Sequence, residues 1–136
     1  MKPILFFAAV LLLVSCSNSP LVSHLENSDS LVVKFTQRGD SLTTRTTSTN
    51  EEHAIQTMLQ FTDGEKTEEF KCGYDGNILF YKKGTLAADI AFNFTGDGCH
   101  HFLHDVKGKL VATKMNNEAV DFLIALANIS KAPVTQ

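Results

Sequence analysis

The stretch Leu86-Ala87-Ala88-Asp89-Ile90-Ala91-Phe92-Asn93-Phe94-Thr95 decides the fold class, because its apolar residues alternate with polar or small ones. Leu86, Ala88, Ile90, Phe92 and Phe94 share one face of an extended chain; Ala87, Asp89, Ala91, Asn93 and Thr95 share the other. One side dry and one side wet is the signature of a strand in an antiparallel sheet. Around it, glycine punctuates some fifty residues at Asp75-Gly76, Lys83-Gly84, Gly96-Asp97-Gly98 and Lys107-Gly108. Ile78 to Lys83, Cys99 to Val106 and Lys109 to Met115 read as companion strands. Upstream, Leu31, Val33 and Phe35 again fall on one face. After a turn at Arg38-Gly39-Asp40, the threonine-rich run Ser41 to Ser48 suits an exposed edge strand.

Two helices accompany these strands. Thr49-Asn50-Glu51-Glu52 has the form of a capping box, and Ile55, Met58, Leu59 and Thr62 follow at the spacing of one helical face, with Asp63-Gly64 as the stop. Asn116-Asn117-Glu118 opens a last helix whose stripe is Ala119, Phe122, Leu123, Leu126 and Ala127, widened by Ile124. Short connections between strands imply an antiparallel sheet, so the expected architecture is a two-layer α+β domain over residues 31–131 with two helices on one face.

The chain has 136 residues, 43% of them hydrophobic, and a net charge of −3, which fits one compact domain and excludes a disordered tail or a coiled coil. It contains no Walker loop, dinucleotide fingerprint, zincin helix or nucleophile elbow, so no catalytic set or cofactor site is legible. A nucleic-acid role lacks its basic footprint.

At the N-terminus, Met1-Lys2 is a short positive region, and Ile4 to Val14 is an apolar run too short to span a bilayer, which takes about 20 residues. It ends in Leu13-Val14-Ser15-Cys16. These four residues resemble the lipobox of bacterial lipoproteins, in which signal peptidase II cuts before the cysteine and the thiol carries diacylglycerol. The resemblance covers the first 16 residues. It implies a signal peptide over 1–15 and a lipidated Cys16 that anchors the mature chain in the cell-envelope membrane. Ser17 stands where the retention rule of some lipoproteins has Asp, which implies sorting to an outer membrane. Loss of Lys2 leaves eleven basic side chains against fifteen acidic ones, a charge of −4 with the lipidated amine neutral. Such a chain has no bulk attraction to anionic lipid. Residues 16–30 then read as lipidated cysteine and flexible tether, reaching on the order of 20 Å. His24 falls in it as a solvated residue.

Cys72 and Cys99 remain, and an exported protein meets oxidising surroundings, so a disulfide is the natural expectation. Its geometry depends on Asp75-Gly76. As a tight hairpin turn, that pair would leave the two cysteines about 14 Å apart and unbridgeable. As a bulge within one long strand from Thr67 to Lys83, it would bring them together, and this second arrangement is the favoured one.

The run Cys99-His100-His101-Phe102-Leu103-His104-Asp105 is the one constellation with chemical potential. On a strand, His100, Phe102 and His104 share a face, with the two imidazoles about 13 Å apart, too far to hold one metal. An alternative metal or redox site would need Cys72, Cys99 and His100 or His101, with free thiols. A Cys99 nucleophile with a histidine base has the same requirement. Arg38-Gly39-Asp40 resembles the integrin-binding tripeptide, although a plain turn accounts for it. Asp29-Ser30-Leu31 and Asp40-Ser41-Leu42 resemble an O-glycosylation acceptor of some Gram-negative envelope proteins. The expected function is therefore a lipid-anchored envelope protein, non-enzymatic, that binds an envelope protein or ligand or serves a structural role. A metal-binding or redox lipoprotein is the alternative.

Overall fold

The computed structural model describes residues 19–36, 44–69 and 71–130. Within them the elements run α1 (Pro20–Leu25), β1 (Ser30–Thr36), β2 (Thr44–Thr49), α2 (Glu52–Thr62), β3 (Lys66–Thr67), β4 (Gly76–Lys82), β5 (Thr85–Asn93), β6 (His101–Val106), β7 (Lys109–Lys114) and α3 (Asn117–Ile129). The strands form one antiparallel sheet in the order β2-β1-β4-β5-β6-β7-β3. This is the α+β architecture that the alternating strand and the two amphipathic stripes imply.

Register explains the layering. Val33 pairs with Ile78, Ile78 with Ile90, and Phe92 with Phe102, so one face of four adjacent strands is continuously apolar. Ile78, Phe80, Ile90, Phe92 and Phe102 are completely buried there. Ile55, Met58 and Leu59 of α2, Ala119 and Leu123 of α3, and Leu21 and Leu25 of α1 join the same core. Asn116 caps α3 as its sequence predicts, its Oδ1 accepting from the Ala119 amide at 2.8 Å. The capping box at the other helix does not close. Thr49 Oγ1 accepts instead from the Glu51 amide at 3.1 Å, and α2 begins at Glu52 after an N-cap Glu51 whose side chain makes no cap.

The structure corrects the sequence reading in four places. First, the β4–β5 register shifts between Phe80 and Tyr81, so Ala88 lies opposite Phe80 and Leu86 opposite Tyr81. Ala87 is the extra residue of this bulge, which turns Leu86 away from the core to 48% exposure. Second, residues 20–30 are no free tether. Pro20 occupies the first helical turn, Ser19 Oγ accepts from the Val22 amide, and Leu21 and Leu25 bury one face of α1. Gln56 Nε2 of α2 donates to the Glu26 carbonyl at 2.9 Å, clasping the two helices together.

Third, β5 and β6 pair only through Ala91–Asn93 and His101–Leu103, and α1 lies where they separate. His24 is exposed, as the sequence reading expects, but it belongs to α1 and not to a tether, and its Nε2 donates to the Ala87 carbonyl of β5 at 3.1 Å. Fourth, no long strand runs from Thr67 to Lys83. Thr67 lies in β3, paired with Ala112 of β7 at one edge, and the chain then crosses the ends of β7, β6 and β5 before β4 starts at Gly76. Asp75-Gly76 is neither hairpin nor bulge but the landing point of that crossover.

Candidate functional site

The crossover strap, residues 68–75, gathers the polar groups that the sequence marks as chemically interesting. Cys72 of the strap and Cys99 of the β5–β6 connection are disulfide-bonded, with their Cα atoms 6.1 Å apart. The bond expected from the sequence is present, although by a different topology, because both cysteines sit in loops at the same end of the sheet. Asn93, fully buried at the end of β5, donates from Nδ2 to the Gly73 carbonyl at 2.9 Å, and its Oδ1 accepts from the Gly96 amide at 3.0 Å. Tyr74 lays its ring against His101, centroids 5.9 Å apart. His101 is itself fully buried, with Nδ1 hydrogen-bonded to the Cys99 carbonyl.

Asp75 closes the strap. Its buried carboxylate accepts from the Phe94 amide at 2.8 Å, the Thr95 amide at 3.0 Å and the Thr95 hydroxyl at 2.8 Å. Its backbone also bridges two strands: the Asp75 amide donates to the Phe92 carbonyl and the Asp75 carbonyl accepts from the Thr36 amide. A cavity of about 350 Å³ beside it is lined by Phe35, Arg45, Asp75 and Phe94. Here Arg45 donates to the Ser130 carbonyl at 2.9 Å, holding the end of α3 against β2. Both charged groups of this cavity thus support the fold.

The disulfide occupies the two sulfurs that the metal and nucleophile readings require, which corrects those readings for this form of the protein. His100 is half-buried, its carbonyl accepting from the Met115 amide, and His101 faces Tyr74. Among the described residues, no three His, Cys, Asp or Glu side chains come together at metal-binding distance.

His104 shares the core face with Phe102, as the strand period predicts, but it is buried at 5% exposure and its Nδ1 has no hydrogen-bond partner. Burial pushes its pKa below the usual histidine value, while the charges of Asp63 and Asp105 act in the opposite direction. It borders a small cavity with Ser19, Pro20, Asp63 and Lys66.

A second cleft of about 340 Å³ lies between β2 and α3, where Leu31, Val33, Thr47, Phe122, Leu126 and Ile129 form a mostly apolar wall. Ile129 is 67% exposed at its rim.

Cys16, Arg38-Gly39-Asp40 and Asp40-Ser41-Leu42 lie outside the described residues. Asp29-Ser30-Leu31 does not sit in a tether: Ser30 opens β1 opposite Tyr81, Leu31 is core, and Asp29 Oδ2 accepts from the Lys83 amide. Asp29 is exposed and Ser30 half-buried, so the triplet belongs to the folded domain and not to a free tether. Sequence reasoning missed Asp75 and Asn93, whose importance comes from the crossover and leaves no local pattern. Searches against family models, curated proteins and solved structures found no match to this chain.

Proposed function

We propose that the protein is a lipid-anchored component of a bacterial cell envelope, acylated at Cys16, whose α+β domain is a non-enzymatic binding or structural module. The observation that carries this reading is the lipobox-like Leu13-Val14-Ser15-Cys16, which follows an apolar run of signal-peptide length. One feature of the domain is consistent with it: the Cys72–Cys99 disulfide suits an exported, oxidising location. Ser17 favours the outer membrane, and the cleft between β2 and α3 is the place to look for an envelope protein or ligand.

The experiment is an intact-mass measurement of the mature protein from its native host. The expected product begins at Cys16 and carries diacylglycerol with or without an amide-linked acyl chain. Cys16→Ala is expected to abolish both cleavage and partition into detergent. An unmodified N-terminus downstream of Cys16 would overturn the assignment.

A further inference from the structure

Two hairpin turns carry the same four-residue pattern, Lys83-Gly84-Thr85-Leu86 and Lys107-Gly108-Lys109-Leu110. Both turns sit at one end of the sheet, because β4 runs into the first at the end where β6 runs into the second. In each, lysine and glycine both have positive φ, 49° and 77° in one and 54° and 81° in the other. A two-residue turn of this geometry favours Asn-Gly or Asp-Gly, so the lysines are not what the backbone alone would select. Three residues after each lysine stands a leucine about half exposed, Leu86 at 48% and Leu110 at 50%. Leu86 pairs with Tyr81 and Leu110 with Asp105, which places both on the face of the sheet that the helices leave uncovered.

The anchored end of the chain arrives at the same place. Pro20, Leu21 and His24 of α1 line one cleft with Val106 and Lys107, and Lys82 Nζ hydrogen-bonds to the His24 carbonyl. Only three residue steps separate Cys16 from Ser19, the N-cap of α1. At about 3.3–3.6 Å per residue they reach no more than roughly 11 Å. An acyl chain on Cys16 therefore holds this end of the domain against the bilayer.

From these observations, and resting on the lipid-anchor reading, we infer that the paired Lys-Gly-x-Leu tips form a docking face for the phosphate headgroups of the anchoring membrane. The lysines would meet phosphate, and Leu86 and Leu110 would enter the boundary between headgroups and acyl chains. Lys83, Lys107 and Lys109 are exposed. Of the carboxylates nearby, Asp29 accepts from the Lys83 amide at 2.6 Å and Asp105 from the Gly108 amide at 2.8 Å, so both brace the turns. Glu26 stays exposed at this end, and the surplus of lysines is small. The face accordingly needs the lipid anchor to bring it to the surface, as expected for a chain of negative net charge.

The chain contains no tryptophan, so Leu86→Trp and Leu110→Trp each introduce a single fluorescent reporter. Tyr74→Trp, in the strap at the opposite end of the sheet, is the reference. Each mature, acylated variant is placed in vesicles of phosphatidylethanolamine and phosphatidylglycerol at 3:1 with brominated acyl chains. Quenching at both tips is expected to be at least twofold greater than at position 74, and adding Lys83→Glu, Lys107→Glu and Lys109→Glu to a tip reporter is expected to halve it. Acylated protein with equal quenching at all three positions would overturn the docking face and leave the anchor standing. Tips shielded by a co-purifying protein but unquenched by lipid would also overturn it, in favour of a protein partner. An unacylated Cys16 in the same preparation would overturn the anchor and the docking face together.

Discussion

At Gly76 a single hydrogen atom decides whether β1, β4 and β5 can close on one another. A Cβ built there would collide with the Lys34 carbonyl oxygen and the Phe92 ring, one of the largest side chains of the core. Gly76→Ala is expected to destabilise the domain by about 1–3 kcal/mol, the usual range for overpacking, read as a lower urea midpoint. Glycine at this position is visible in the sequence, but a close approach between distant strands is a tertiary fact, so only local turn and bulge explanations were available for it. His104 has the opposite history: the period of two correctly assigns it to the face of Phe102, but not the depth to which it sinks. Because burial lowers its folded pKa, the unfolded chain takes up a proton first as pH falls through about 6.5, the ordinary histidine value. Its contribution to stability is complete above that pH and declines as pH falls toward the folded value. Wild type is thus expected to lose urea resistance between pH 7.5 and pH 5, and His104→Leu to flatten the part of that slope that belongs to this residue.

Among the elements, β5 was the most legible because its long alternation outweighs any competing pattern; its two ends escaped, where the bulge at Ala87 reverses Leu86 and where the strand stops at Asn93, which is fully buried although it falls on the face read as wet. Two short elements left no trace. β3 is the pair Lys66–Thr67, with no apolar period, and α1 is six residues long, below the length at which helical propensity counts without tertiary contacts. Missing β3 is what led the sequence reading to a continuous strand through Cys72. The disulfide prediction nevertheless survives, since oxidising surroundings and two remaining cysteines argue for it independently of topology. Its loop of 27 residues is expected to contribute about 3.5 kcal/mol in the chain-entropy model. Urea titrations of the oxidised protein and of Cys72→Ser/Cys99→Ser would measure this difference, with the strap connecting β3 to β4 as the segment most exposed to amide exchange in the variant.

For the whole molecule, the layer arrangement followed from periodicity, whereas the limits of the domain did not. A boundary at Leu31 looks natural, because serine and asparagine dominate the residues before it, yet Leu21 and Leu25 belong to the core. Burying each contributes about 1.5–3 kcal/mol. A chain beginning at Leu31 is therefore expected to be about 3–6 kcal/mol less stable than one beginning at Ser19, a large share of what a domain of this size possesses. Thermal unfolding of the two chains would show it.

The strand order also has a consequence in time. Two-residue turns let β4–β5 and β6–β7 zip within microseconds, whereas β3 must find β7 with Lys66 and Thr113 nearly fifty residues apart in the chain. The two hairpins are therefore expected to pair before the strap is laid across them, and the sulfurs of Cys72 and Cys99 to come within range only once it has landed. On that order oxidation would latch a finished assembly, and a thiol reductase that opens the bond is expected to free the strap before the hairpins.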